Sequence, residues 1–157
     1  MRMEKTVAES RMEQIYQVRP EYLNGAGRLF GGKLMEWIDE LAGLIGIRYA
    51  QRDVITASVD NLKFIRGAYL KDLIVLIGRV TYVGRTSMEV RVDTYIESID
   101  GIRKPINRAY LTLVAIDEDG KPVEVPRLIV ETEAEKAEWE AGIKRRKMRR
   151  QRQEEGF

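Results

Sequence analysis

Three kinds of group in the first third of the chain could act together on an ester-like bond. They are the carboxylate of Asp39, the side-chain amide of Asn24 and the backbone N–H groups where Gly31-Gly32 opens a helix-patterned segment. The first amides of a helix have no acceptor within it, and the positive end of the helix dipole favours a developing negative charge. A carboxylate two turns further in could serve as general base or nucleophile, with the amides acting as oxyanion donors. The chain contains no histidine and no cysteine. That excludes a Ser-His-Asp or Cys-His triad, a thiolate nucleophile, a disulfide and any metal site built on those ligands, so a hydrolase made from this chain must use a carboxylate. Helical position alone leaves a plainer alternative for Asp39, an acid at the edge of a polar face paired with solvent or Lys33.

The element that carries Asp39 runs from the glycine-punctuated loop Asn24-Gly25-Ala26-Gly27 into a helix ending near Ala50. Leu34, Ile38, Leu41 and Ile45 recur at helical spacing, and Trp37, Leu44 and Ile47 widen the stripe, so a buried helix wrapped by a sheet is expected. At about 100° per residue, Gly32, Gly43, Gly46 and Ala50 share the arc of Asp39, with Met35 and Ala42 beside it. Helical glycine costs about 0.5–1 kcal/mol against alanine, so this strip suggests close approach by a backbone or ligand, with Asp39 in the crevice.

Around that helix the pattern is of strands. Residues 11–18 alternate, Leu73 to Val83 is nearly continuous apolar sequence, and Ser87 to Ser98 places Met88, Val90, Val92 and Ile96 inward with Glu89, Arg91 and Asp93 outward. Val54 to Arg66 puts Thr56, Ser58, Asp60 and Leu62 on one alternation and Ile55, Ala57, Val59 and Asn61 on the other. Those polar residues could line a site or face solvent. Arg108 to Asp117 makes a further strand, and Gly84-Arg85, Asp100-Gly101 and Asp119-Gly120 are turn signals. The order is strand, helix, four strands, helix, an α+β layer with an antiparallel sheet. Pro122 and Pro126 close a domain over residues 8–128. Residues 129–157 form a charged C-terminal helix and tail, acidic from Glu131 and basic in KRRKMRRQR from Lys144 to Arg152. This arrangement complements the helix dipole and reads as a solvated, partly frayed helix. Its alternative is a basic arm for nucleic acid or for coenzyme A phosphates, although no aromatic interleaves the basic run.

At 157 residues with a net charge of +2, one domain with one core is expected and no strong global pull on polyanions. No apolar run approaches the roughly 20 residues of a membrane span, and MRMEKTVAES has no signal-peptide core. A soluble cytoplasmic protein is expected.

The runs NGAGRLFGGKLMEWIDELAG, ITASVDNLKF and VGRTSMEV, in that order, resemble the acyl-CoA thioesterase family of the hot-dog fold. The resemblance covers most of residues 11–117. It implies hydrolysis of fatty acyl-CoA to fatty acid and coenzyme A, with Asp39 as general base or nucleophile and Asn24 holding the water or the carbonyl. Gly31 and Gly32 would receive the carbonyl oxygen, and Arg85, Thr86 and Ser87 the coenzyme A phosphates. It implies no metal and no cofactor beyond the coenzyme A of the substrate. The partner is a second copy of the chain, as a homodimer or trimer of dimers, with the site shared across a two-fold axis. Many relatives carry histidine where Tyr22 stands, and proline and glycine in the turn that holds Gly67 and Lys71 here. The other function classes are an acyl-CoA-binding sensor without catalysis and, less favoured, a nucleic-acid binder led by the basic arm.

Overall fold

The computed structural model describes residues 3–60 and 62–157. Its long helix, α2 (Gly31–Ala50), buries Leu34, Trp37, Ile38, Leu41, Ala42, Ile45 and Tyr49. No side chain caps its N-terminus. Phe30 is extended there, and the first backbone bonds run from the N–H groups of Lys33 and Leu34 to the Phe30 carbonyl at 3.0 and 3.2 Å. The amides of Gly31 and Gly32 therefore precede the helical ladder. At the other end Gln51 adopts a left-handed φ of 54°. Lys5 Nζ donates to the Arg48 and Tyr49 carbonyls at 3.1 and 2.8 Å, a cation where the helix dipole favours one.

Five strands wrap this helix: β2 (Met12–Gln17), β3 (Asp53–Asp60), β4 (Leu73–Val83), β5 (Ser87–Glu97) and β6 (Arg103–Ile116). They lie in the order β2-β4-β5-β6-β3, each neighbour antiparallel, and α2 packs on all five. A side chain at Gly78 would put its Cβ 2.5 Å from Ile45 Cδ1, so glycine lets the helix seat on β4. A two-stranded parallel ribbon, β1 (Glu4–Thr6) with β7 (Arg127–Ile129), and the short helix α1 (Val7–Ser10) complete the strand side of the fold. Among the described residues no helix is long and apolar enough to cross a membrane.

Two strand boundaries differ from the sequence pattern. The strand expected over residues 54–66 spans Asp53–Asp60, after which a loop takes over; Asn61 lies outside the described residues. The strand expected from Arg108 starts at Arg103, because a bulge between Thr94 and Tyr95 admits Pro105 opposite Tyr95. Proline lacks the ladder donor and is tolerated at such an irregularity.

The largest departure is the last helix, α3 (Glu133–Glu155), which is docked and not solvated. Thr132 caps it, its Oγ1 accepting from the Glu135 N–H at 3.1 Å. The helix covers the sheet face opposite α2, so Glu89, which points away from the core, is buried beneath it, while Asp93 is buried among Arg79, Arg91 and Arg108 of the strands. Arg145 meets Glu89 through two bonds, Nε at 2.8 Å and Nη2 at 2.7 Å, and reaches Glu138 at 2.9 Å. Glu138 also accepts from Arg91 at 2.6 Å and from the Tyr110 hydroxyl at 2.7 Å, while Arg149 and Arg152 share the Asp60 carboxylate at 2.9 and 3.0 Å. Gly142 is the contact point: a Cβ there would lie 2.8 Å from Tyr82 Cβ.

Burial alone would raise the Glu138 carboxyl. The Tyr110 and Arg91 hydrogen bonds, with the charges of Arg91 and Arg145, outweigh it and hold the group below the ordinary glutamate value of 4.5. A depressed carboxyl stabilises the fold above its unfolded value and loses that contribution as pH falls through the folded value. Acidification below pH 4.5 is therefore expected to weaken α3 docking ahead of the core. Hydrogen exchange of α3 amides against α2 amides across that range checks it, and equal loss in both helices would refute it.

Candidate active site

Asn24 lies in the loop before α2, and its side chain builds that loop. Oδ1 accepts from the Ala26 N–H at 2.9 Å and from the Arg28 N–H at 3.2 Å, an Asx-type turn. With the oxygen so engaged, Nδ2 is the side chain's remaining hydrogen-bonding group. Asn24 and Gly31 line one cavity of about 310 Å³ with Arg28, Leu34, Phe64 and Arg66. Gly31 is roofed by Phe64, whose ring would lie 3.7 Å from a Cβ placed there, and the Phe30 ring folds onto Gly32. These contacts, and not a crevice along the helix, explain the first glycines. Gly46 faces Val54 and Leu113, while Gly43 faces open space.

Asp39 is exposed in the single protomer and borders a different cavity of about 290 Å³, with Met35, Ile38, Thr56, Val59, Leu62 and Leu111. The Thr56 hydroxyl donates to Asp39 Oδ1 at 2.7 Å. A bulge in β3 between Thr56 and Ser58 makes this contact possible. The extra residue turns Thr56 and Val59 toward α2 and Ser58 and Asp60 toward α3, although simple alternation places Thr56, Ser58 and Asp60 on one face. Thr56 is the residue of this candidate site that the sequence pattern does not single out. Its signal was the polar set in ITASVD, which could equally have faced solvent.

The structure thus brings Asn24 to Gly31, and Asp39 to Thr56, but does not bring the two pairs into one cavity of one protomer. Asp39 is eight residues along α2 from Gly31, about 12 Å at 1.5 Å per residue. Arg85, Thr86 and Ser87 lie elsewhere again, on the turn between β4 and β5. Arg127 Nη2 donates to the Gly84 carbonyl at 2.7 Å and fixes that turn. Arg85 itself is exposed, with a long 3.9 Å ion pair to Glu124. Tyr22 stands edge-on to Trp37 at 5.3 Å, and Tyr16 stacks on the same indole at 4.3 Å. Tyr22 therefore braces the start of α2 from within. Among the described residues no group of three or more acids is placed to hold a metal ion.

Comparison with known proteins bears on this geometry. Residues 26–101 match the Thioesterase superfamily. An uncharacterized acyl-CoA thioester hydrolase of Bacillus subtilis (strain 168), YkhA, is 41% identical over 128 residues, 81% of this chain and 74% of the relative. The chain belongs to the acyl-CoA thioester hydrolases of the hot-dog fold. Within that family, an acyl-CoA hydrolase of Staphylococcus aureus, solved with butyryl coenzyme A, coenzyme A and coenzyme A disulfide, superposes with a TM-score of 0.91. It is 33% identical, covering 98% of this chain and 94% of that one. A hexameric acyl-CoA thioesterase in its apo form gives a TM-score of 0.91 at 39% identity, covering 96% and 97%. Solved variants of the S. aureus hydrolase replace one asparagine, one aspartate and one threonine by alanine. Their spacing along that chain equals that of Asn24, Asp39 and Thr56 in this one.

Proposed function

We propose that this protein hydrolyses fatty acyl-CoA thioesters to fatty acid and coenzyme A, with Asp39 as the carboxylate that activates water or attacks the carbonyl. The observation that carries this reading is the 2.7 Å bond from Thr56 to Asp39 in a cavity whose other lining residues, Glu36 apart, are apolar: Met35, Ile38, Val59, Leu62 and Leu111. One carboxylate oxygen is thereby held by a side chain on a different element. The other remains for chemistry beside an apolar slot suited to an acyl chain. Asn24, its oxygen committed to the loop, would offer Nδ2 as a donor, which suits the thioester carbonyl better than an attacking water's protons. The amides of Gly31 and Gly32 would complete the oxyanion site. As the thioester is cleaved, water supplies hydroxide to the carbonyl carbon, and the thiolate of coenzyme A leaves and takes up the proton. Thiol release from a panel of acyl-CoAs tests the reading. No turnover at any chain length, with acyl-CoA still bound, would leave a binding module.

The two half-sites would be completed by a second copy, Asn24 and Gly31 of one protomer facing Asp39 and Thr56 of the other. The surface that would allow it is apolar and open: Ile55 and Val59 on edge strand β3, and Met35 one turn before Asp39 on α2, are exposed. An edge strand with apolar side chains invites pairing with its own copy. Mixed dimers of Asn24→Ala and Asp39→Ala protomers should regain one intact site of two. Random re-association of two inactive variants would then recover about a quarter of wild-type activity. Recovery of none would place both residues in a single-chain site.

Thr56→Val keeps the shape and removes the donor. Because a hydrogen bond to a charged group contributes about 1.5–3 kcal/mol, kcat is expected to fall about 10- to 100-fold with little change in KM. A pure KM effect would instead make Thr56 a substrate contact.

A further inference from the structure

The loop over residues 62–71, between β3 and β4, turns most of its side chains outward. Its sequence, LKFIRGAYLK, holds three cations and no acid, and Lys63, Phe64, Ile65, Arg66, Tyr69 and Leu70 are exposed. The backbone beneath them is fastened. The Ile65 N–H donates to the Ile106 carbonyl and Arg66 Nε to the Pro105 carbonyl, each at 3.0 Å, and the Tyr69 N–H donates to the Asp72 carboxylate at 2.8 Å. The Arg28 guanidinium lies 5.7 Å from the centre of the Tyr69 ring and adds a further cation. Phe64 to Ala68 line the cavity that holds Asn24 and Gly31. Ile65 also lines a second cavity, of about 290 Å³, with Lys63, Tyr95, Pro105 and Arg108. Two carboxylates close to the loop are already committed: Asp72 to the Tyr69 N–H, and the buried Asp93 to Arg91 and Arg108 at 2.8 Å each. An apolar surface interleaved with cations therefore runs up to the candidate oxyanion cavity.

We infer that this loop is the docking surface for an acidic protein that presents an acyl thioester on a pantetheine arm, so that the enzyme takes a carrier-bound substrate as well as a free one. The inference rests on the hydrolytic reading of the Asn24 and Asp39 half-sites. A thioester tethered to a protein reaches the Gly31 amide when the base of its tether sits where the cavity opens, and the wall there is this loop. Exposed apolar side chains edged by charge of one sign select a partner whose contact face is apolar and of the opposite sign. Free coenzyme A has no protein face to bury Ile65 and Leu70. A second copy of this chain, placed loop to loop, would set cation against cation.

The probe is a small acidic acyl carrier protein, used with its pantetheine thiol free for calorimetric titration into the full-length protein and acylated for turnover. Wild type, Lys63→Glu and Leu70→Gln are compared, with folding checked by circular dichroism; both side chains are exposed, and either variant carries the test if the other fails to fold. The wild type is expected to bind the carrier, more weakly as salt rises. Each variant should lower kcat/KM for the acylated carrier about tenfold or more and leave kcat/KM for the matching acyl-CoA unchanged. Equal loss on both substrates overturns the inference, as does a variant whose mass by light scattering shows lost subunits, which would make the loop a contact between copies. Sedimentation with anionic phospholipid vesicles, abolished by Lys63→Glu and without binding of the carrier, would assign the loop to a lipid surface and overturn it too. The titration needs no turnover. A protein that binds the carrier but releases thiol from neither thioester defeats the hydrolytic reading and leaves the docking surface standing, whereas one that cleaves acyl-CoA but neither binds nor cleaves the carrier does the reverse.

Discussion

Replacing Asp39 by asparagine is expected to lower kcat for acyl-CoA by about a thousandfold or more, the scale on which loss of an essential catalytic group registers. The substitution is nearly isosteric, and its side-chain oxygen can still accept from Thr56, so the bond at 2.7 Å and the fold should survive. What disappears is the charge that draws a proton from water or bonds to the carbonyl carbon. Release of free thiol, with circular dichroism on the same samples, makes the comparison. A loss of about 100-fold or less in a folded variant would remove Asp39 from the chemistry, since a mere positioning group acts on that smaller scale. Turnover of the wild type in ¹⁸O-labelled water separates the two routes. Water that opens an anhydride at the aspartyl carbon leaves its oxygen in Asp39, so label there marks attack by the carboxylate, whereas general-base catalysis places label only in the fatty acid.

The second large effect concerns stability. Arg145→Ala leaves the Glu89 carboxylate, whose side chain is 1% exposed, with the Thr81 hydroxyl at 2.7 Å and Arg149 at 3.7 Å as its partners among the described residues. It also removes a guanidinium stacked 3.6 Å over the Tyr110 ring. Stranding one partner of a buried ion pair costs about 3–5 kcal/mol, which for a domain of this size is a fall in Tm of about 6–20 °C. Differential scanning calorimetry reads it directly. Changing Glu89→Gln as well should recover much of the loss, because the cost lies in the uncompensated charge and not in the missing attraction. A double variant no better than Arg145→Ala would show that packing of the arginine, and not the stranded carboxylate, sets the effect.

These two sites differ sharply in how far sequence alone reveals them. Helical spacing from Leu34 to Ile45 and the alternation of Met88, Val90 and Val92 specify α2 and β5, because each buries one face and local period decides which. Asp39 and Asn24 stand out because their neighbours are so uniformly apolar or glycine-rich. Thr56 does not: its role depends on a bulge that re-aims it, and nothing in the order Thr56-Ala57-Ser58 announces the extra residue. α3 is harder still. It has no apolar stripe wide enough to predict docking, and its partners Glu89 and Asp60 lie 56 and 89 residues away from Arg145 and Arg149. Local pattern carries no information about such pairs, so a helix rich in charge looks solvated until the sheet it covers is known. The strands β1 and β7, three residues each, are likewise too short to show a period.

A helix fastened by charge responds to its surroundings differently from one fastened by oil. Glu89, Glu138, Asp60 and four arginines hold α3 to the sheet. The cost of drying such groups falls as temperature rises, while burial of hydrocarbon gains little more. Warming should therefore spare this seam relative to the core, and concentrated salt should loosen its more exposed pair, Arg152 with Asp60, first. The protein carries in one chain a seam that tolerates heat better than brine.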